Sequence, residues 1–134
     1  MTNKVIVALD NKNLKQIITI VKKTKSEVFG FKIGKEFFYS YGIEGYKKIF
    51  KLSPKIFLDL KLHDIPNTVE KALKAIIKLR PLLTTIHITG GDEMQKASSK
   101  LKRNKTKILG VTVLTSLNAS QTKKYYNNKN INQL

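Results

Sequence analysis

Cysteine is absent from the 134-residue chain, which excludes disulfides, iron–sulfur clusters and thiolate metal sites. Histidine is nearly as scarce: His63 and His87 are the only two, too few for a His-rich zinc centre. No apolar run approaches the ~18 residues of a membrane span. The leading apolar stretch, Val5–Leu9, is too short for a signal peptide and runs directly into Asp10. With 41% hydrophobic and 26% charged residues, the composition is that of a packed core rather than a disordered chain. Length and these gaps together lead us to expect one soluble, cytoplasmic domain.

Acidic residues are also few, 9 against 26 Lys and Arg, leaving a formal net charge of +17. Such a balance invites a nucleic-acid partner. Arginine, however, is confined to Arg80 and Arg103. Nucleic-acid readers lean on arginine for bidentate contacts to bases and phosphates. Lys, Ile and Asn fill 49 positions, a bias that AT-rich coding produces without any binding role. An anionic small substrate fits the charge equally well, so nucleic acid is not the expected partner.

Five apolar runs read as strands: Val5–Leu9, Val28–Ile33, Ile56–Leu62, Thr84–Thr89 and Ile108–Leu114. Between them, helical spacing places Leu14, Ile17, Ile18 and Val21 on one stripe. Phe37, Phe38 and Tyr41 with Tyr46, Ile49 and Phe50 form another, and Val69, Leu73, Ile76 and Ile77 a third. Asn13 and Asn67 read as helix caps, and Gly90–Gly91 precede a helix opening on Asp92 and Glu93. The β-α-β-α alternation dictates a parallel sheet.

Strands recur at intervals of roughly 25 residues, a period shared by two architectures. Five units describe an open flavodoxin-like sheet. A (β/α)8 barrel needs eight, roughly 200 residues. Length favours the open sheet; the strand ends favour the barrel. Asp10, Lys32, Asp59 with Lys61, His87, and Thr112 with Thr115 lie at or near successive C-terminal strand ends. An open sheet feeds a site only from strands beside its switch point, whereas every barrel strand opens onto one mouth. The expectation is therefore an α/β chain of TIM-barrel type with about five βα units, followed over 118–134 by a polar tail able to open a fifth helix or to fray.

The segment Phe57-Leu58-Asp59-Leu60-Lys61-Leu62-His63-Asp64 carries the chemistry. Alternation on a strand puts Leu58, Leu60 and Leu62 on one face and Asp59 and Lys61 on the other, their Cβ atoms about 7 Å apart. An ammonium flanked by carboxylates keeps its proton, which suits a general acid better than a Schiff-base lysine. An ordinary ion pair at a strand end would show the same D-x-K-x-x-D pattern. Lys32, a second cation at the neighbouring strand end, exceeds what one such pair requires.

The run Asp59–Thr68, DLKLHDIPNT, closely resembles the signature of the orotidine 5′-phosphate decarboxylase family. VIVALD ending in Asp10, FGFKIGKEFFYSYG containing Lys32, HITGG from His87 and VTVLTS containing Thr115 follow in the family's order. The resemblance implies a dimeric barrel that decarboxylates orotidine 5′-monophosphate to uridine 5′-monophosphate without a cofactor or metal. It implies an alternating charged network of Lys32, Asp59, Lys61 and Asp64. Asp64 would come from the partner subunit, with Ile65 and Thr68. Asp10 would hydrogen-bond the ribose, Lys32 would bridge ribose and network, and Thr115 would lie near the pyrimidine. Asp59 would face the departing carboxylate and Lys61 would protonate C6. His63 and His87 read as packing or structural residues.

The family's phosphate-gripping loops would fall past Leu134, so this chain alone is expected to be weakly active or inactive. Alternatives from other classes are a non-catalytic remnant, half of a split enzyme, or a Lys-rich nucleic-acid binder. The magnesium-dependent 3-keto-gulonate-phosphate decarboxylases share D-x-K-x-x-D, but the Ile65-Pro66-Asn67-Thr68 continuation argues against them. Gly30–Glu36, GFKIGKE, echoes a phosphate loop but is one residue short between its glycines and carries Glu where Ser or Thr belongs.

Overall fold

The computed structural model of the chain describes residues 4–10, 13–101 and 105–126. Strands β1 (Ile6–Ala8), β2 (Gly30–Gly34), β3 (Ile56–Leu62), β4 (Leu83–His87) and β5 (Lys107–Val111) alternate with five helices. The helices are α1 (Leu14–Thr24), α2 (Lys35–Leu52), α3 (Pro66–Lys78), α4 (Asp92–Ser99) and α5 (Ala119–Tyr125). All four strand pairings are parallel, and the spatial order is β1-β2-β3-β4-β5. That order settles the choice between architectures. A doubly wound sheet reverses direction at its switch point, whereas a barrel adds each strand on the same side of the last. No reversal occurs here, so the five units form an arc of a barrel.

Right-handed crossovers that always advance the same way keep the helices on one face of the arc. Phe31, Ile33, Ile56, Leu58 and Leu60 point to that face and are buried with Ile17, Val21, Phe37, Tyr46, Ile49 and Ile76. A second cluster joins Val69, Leu73, Ile86 and Met94. Each such side chain contributes about 1.5–3 kcal/mol on burial. The opposite, inner face carries the polar strand residues. Register pairs Lys32 with Phe57, Gly34 with Asp59 and Thr85 with Leu109. Among the described strands β1 and β5 have one neighbour each, and Val5, Ile6 and Leu109 are exposed there.

Local signals explain most boundaries. Asn13 caps α1 as expected, accepting from the backbone N–H groups of Lys15 and Gln16. Asn67 does not cap α3: the helix opens on Pro66, whose preset φ and missing N–H suit a first turn. The strand expected to reach Thr89 ends at His87, because Ile88–Gly90 coils into a 3-10 turn and Gly91, at φ +86°, redirects the chain into α4. The last strand closes at Val111, leaving Thr112 and Thr115 in the connection beyond it. The one aromatic stripe belongs to a helix kinked at Gly42, φ +57°. Asn118 and Gln121 form a reciprocal capping box, which opens the helix α5 at the start of the polar tail. Residues 127–134 of that tail, and Arg103, lie outside the described residues. GFKIGKE is β2 running into α2, not a phosphate loop.

Gly30 is buried where β2 meets the entry to β3, and a Cβ there would overlap the Lys55 carbonyl oxygen. That oxygen accepts the Phe31 N–H at 3.0 Å. Gly30→Ala should therefore lower stability by about 1–3 kcal/mol, the usual cost of overpacking. Urea denaturation measures it; an unchanged midpoint would contradict this registration of β2 on β3.

Candidate active site

The inner face of β3 departs from regular pairing at the residues that bear charge. Its register on β4 moves from Leu58 opposite Thr84 to Leu62 opposite Ile86, so β3 carries two extra residues. Lys61 takes a left-handed backbone, φ +49°, uncommon for a residue with a Cβ. Bulges of this kind re-aim side chains, and here the freed polar groups converge on one hydroxyl. The Lys61 N–H donates to Thr85 Oγ1 at 2.8 Å, and the same hydroxyl donates to Asp59 Oδ1 at 2.9 Å. Lys61 Nζ donates to Asp59 Oδ2 at 2.6 Å. The Asp59 side chain is 9% exposed and that of Lys61 34%. A carboxylate so withdrawn from water needs such partners, because burying it unpaired costs several kcal/mol.

One strand away, Lys32 Nζ lies 3.3 Å from Asp10 Oδ2. This pair is longer and wetter, so it is worth little as a stability element. A Cβ built on Gly34 would lie 3.4 Å from Asp10 Oδ1 and 3.9 Å from Lys32 Nζ. Gly34 is also the strand partner of Asp59. Gly34 thus lies beside the Asp10–Lys32 pair and level with Asp59 on the neighbouring strand. Lys32 and Lys61 share the inner side of the sheet.

The alternating network expected from the resemblance is not assembled within one copy of the chain. Among the described ion pairs none links Lys32 to Asp59 or Lys61 to Asp64. The Asp59 oxygens accept from Thr85 and Lys61, and Lys32 reaches Asp10 instead. Asp64 is exposed, and its Oδ1 accepts the Ile65 N–H at 2.7 Å just before α3. Ile65 is 65% exposed. Asp64 and Thr68 line a groove of about 380 Å³ together with Lys35, Lys61, His63 and His87. Thr115, exposed in the turn after β5, lines neither that groove nor either ion pair.

His63 is exposed rather than packed in a core, and its ring stands 5.1 Å from that of His87, tilted by 34°. Burial pushes the His87 imidazole below its usual pKa, aided by the neighbouring His63, Lys35 and Lys61. Thr85 escaped notice in the sequence. The available signal was a hydroxyl at an inner-face position two residues before His87, in a strand otherwise read as apolar. Among the described residues no three of His, Asp and Glu gather as metal ligands. No described helix is long and apolar enough to cross a membrane.

A family model described as orotidine 5′-phosphate decarboxylase / HUMPS matches residues 3–134. The chain is 44% identical over 123 residues to an orotidine 5′-phosphate decarboxylase of Ehrlichia chaffeensis and 43% identical over 119 to one of Sphingopyxis alaskensis. These alignments cover 91% and 89% of the chain but 53% of each relative, so the chain spans about half their length. A crystal structure of an orotidine 5′-phosphate decarboxylase from Lactobacillus acidophilus superposes with TM-score 0.79 at 41% identity, covering 93% of this chain and 59% of that one. One from Methanocaldococcus jannaschii, complexed with the inhibitor BMP, gives TM-score 0.70 at 29% identity, covering 81% and 52%.

Removing the Thr85 hydroxyl with its shape kept takes one bond from the buried Asp59 carboxylate and one from the part-buried Lys61 N–H. Thr85→Val should cost about 1–3 kcal/mol, whereas Thr85→Ser keeps the bonds and should cost clearly less. Urea denaturation with amide exchange at Lys61 reads both; equal losses in the two variants would remove the bridging role.

Proposed function

Because the chain belongs to the orotidine 5′-phosphate decarboxylase / HUMPS family, we propose that its inner rim supplies one half of a site that converts orotidine 5′-monophosphate to uridine 5′-monophosphate. The observation that carries this reading is the Asp59–Lys61 pair at 2.6 Å, on the same face as Lys32. The bond from C6 to the substrate carboxylate breaks, carbon dioxide leaves, and the electron pair stays on C6. Asp59 faces the departing carboxylate. Lys61 donates its proton to C6 and recovers one from water. Charges already fixed in place need no reorganisation as negative charge moves from carboxylate to ring, which is how such a site lowers a barrier.

Asp10 and Lys32 hold the ribose, and Thr115 borders the pyrimidine. Asp64, Ile65 and Thr68 are exposed beside the groove and serve a second copy of the chain in a homodimer, where Asp64 completes the charge alternation. Phosphate-gripping loops would come from the part of the relatives that this chain does not span. Remote phosphate binding normally drives closure over the reacting ring, so the chain alone turns over weakly. A soluble nucleotide enzyme of this kind works in the cytoplasm.

Ultraviolet absorbance follows orotidine 5′-monophosphate loss directly. The assay uses the chain mixed with a polypeptide carrying the remaining half of the Sphingopyxis alaskensis relative, with magnesium or with EDTA. We expect turnover that EDTA does not change and that falls about 10²–10⁴-fold in Lys61→Ala. A folded complex that binds uridine 5′-monophosphate but decarboxylates nothing would refute the assignment, and activity only with magnesium would favour the keto-gulonate type.

A further inference from the structure

The two histidines do something the proposed reaction does not use. His63 lies two residues after Lys61 and immediately before Asp64, in the three-residue connection from β3 to Pro66. Being exposed, it is not held by a core. Its ring neighbours are the His87 ring, with centroids 5.1 Å apart, and Gly90. A Cβ on Gly90 would lie 3.3 Å from His63 Cδ2 and would overlap the Met94 thioether. The glycine therefore admits both the ring edge and the helix α4 methionine. Lys35 from α2, Lys61 from β3, and Asp64 and Tyr39 line the same groove.

We propose that the His63–His87 ring contact is a proton-sensitive clamp that positions the turn bearing Lys61 and Asp64, closed when His87 is neutral and opened when His87 gains a proton. Lys61 and Asp64 matter catalytically only if the decarboxylase reading holds, but the clamp itself does not require it. Burial disfavours a proton on His87, and such a cation would also stand against the His63 ring with Lys35 and Lys61 nearby, where like charges repel. The depressed pKa of His87 fixes the direction. The unfolded chain takes up this proton at the ordinary value of 6.5, before the folded chain does. The stabilisation is thus complete above that value, and falls away as pH drops from 6.5 towards the lower folded pKa. Both histidines act as positioning residues.

Nuclear magnetic resonance of the labelled full chain, titrated from about pH 8 to about pH 5, tests this without any nucleotide. The His87 ring should titrate below 6.5, and the Lys61 and Asp64 amides should move with the same midpoint. His87→Phe keeps a flat ring and removes the proton site. In that variant the two amides should keep their neutral positions and lose the acid-linked movement. His63→Ala should speed amide exchange at Lys61 and Asp64 about tenfold at neutral pH, with Val21 and Ile33 unaffected. Amides that stay still while His87 titrates, or that move with the same midpoint in His87→Phe, would overturn the clamp. Turnover enters none of these readouts, so failure here and failure of the decarboxylase assignment are separate results.

Discussion

Asp59 keeps a carboxylate almost out of reach of water, and among the described residues the Lys61 ammonium and the Thr85 hydroxyl replace its hydration. That requirement organises the surrounding backbone. The extra residues of β3, the left-handed Lys61 and the Thr85 bridge combine into one arrangement that brings an ammonium and a carboxylate to 2.6 Å at a barrel rim. A regular strand would hold the same two side chains side by side. The bulge adds a fixed backbone N–H at the hydroxyl, so the pair is braced from the neighbouring strand as well as from its own.

The arc of five strands gives that pair its setting. Consecutive parallel order sends every strand end to the same rim and leaves the helices to bury the outer face. Lys32 and Asp10 reach the rim from β2 and the end of β1, beside Gly34, the strand partner of Asp59. Exposed apolar residues at β1 and β5 mark where an arc of this kind accepts further strands. The relatives, about twice as long, match this chain over the part that carries the D-x-K-x-x-D run.

Much of the fold was legible because its signals are local. Periodicity of 3.6 and of 2 marked the helices and strands, Asn13 announced its cap, and paired glycines announced the turn into α4. The misreadings were local competitions. At α3 a proline out-competed an asparagine for the helix start, and at β4 a 3-10 turn consumed residues whose β-branching suggested strand. At β3 the alternation rule placed Asp59 and Lys61 on one face correctly, yet carried no sign of the bulge. Nor did composition reveal that His63 would meet His87, since the two rings are brought together by β4 pairing beside β3.

The amino-acid order alone determined the βα alternation, the inner placement of Asp59, Lys61 and Lys32, and the family signature, because each depends on residues close together in the chain. Tertiary structure decided which partner each charge takes. Asp59 takes Thr85, a residue 26 positions away, as well as Lys61; Lys32 pairs with Asp10, and Asp64 accepts the backbone N–H of Ile65. Such choices depend on distances of a few ångströms between strands, and those distances exist only once the sheet has formed.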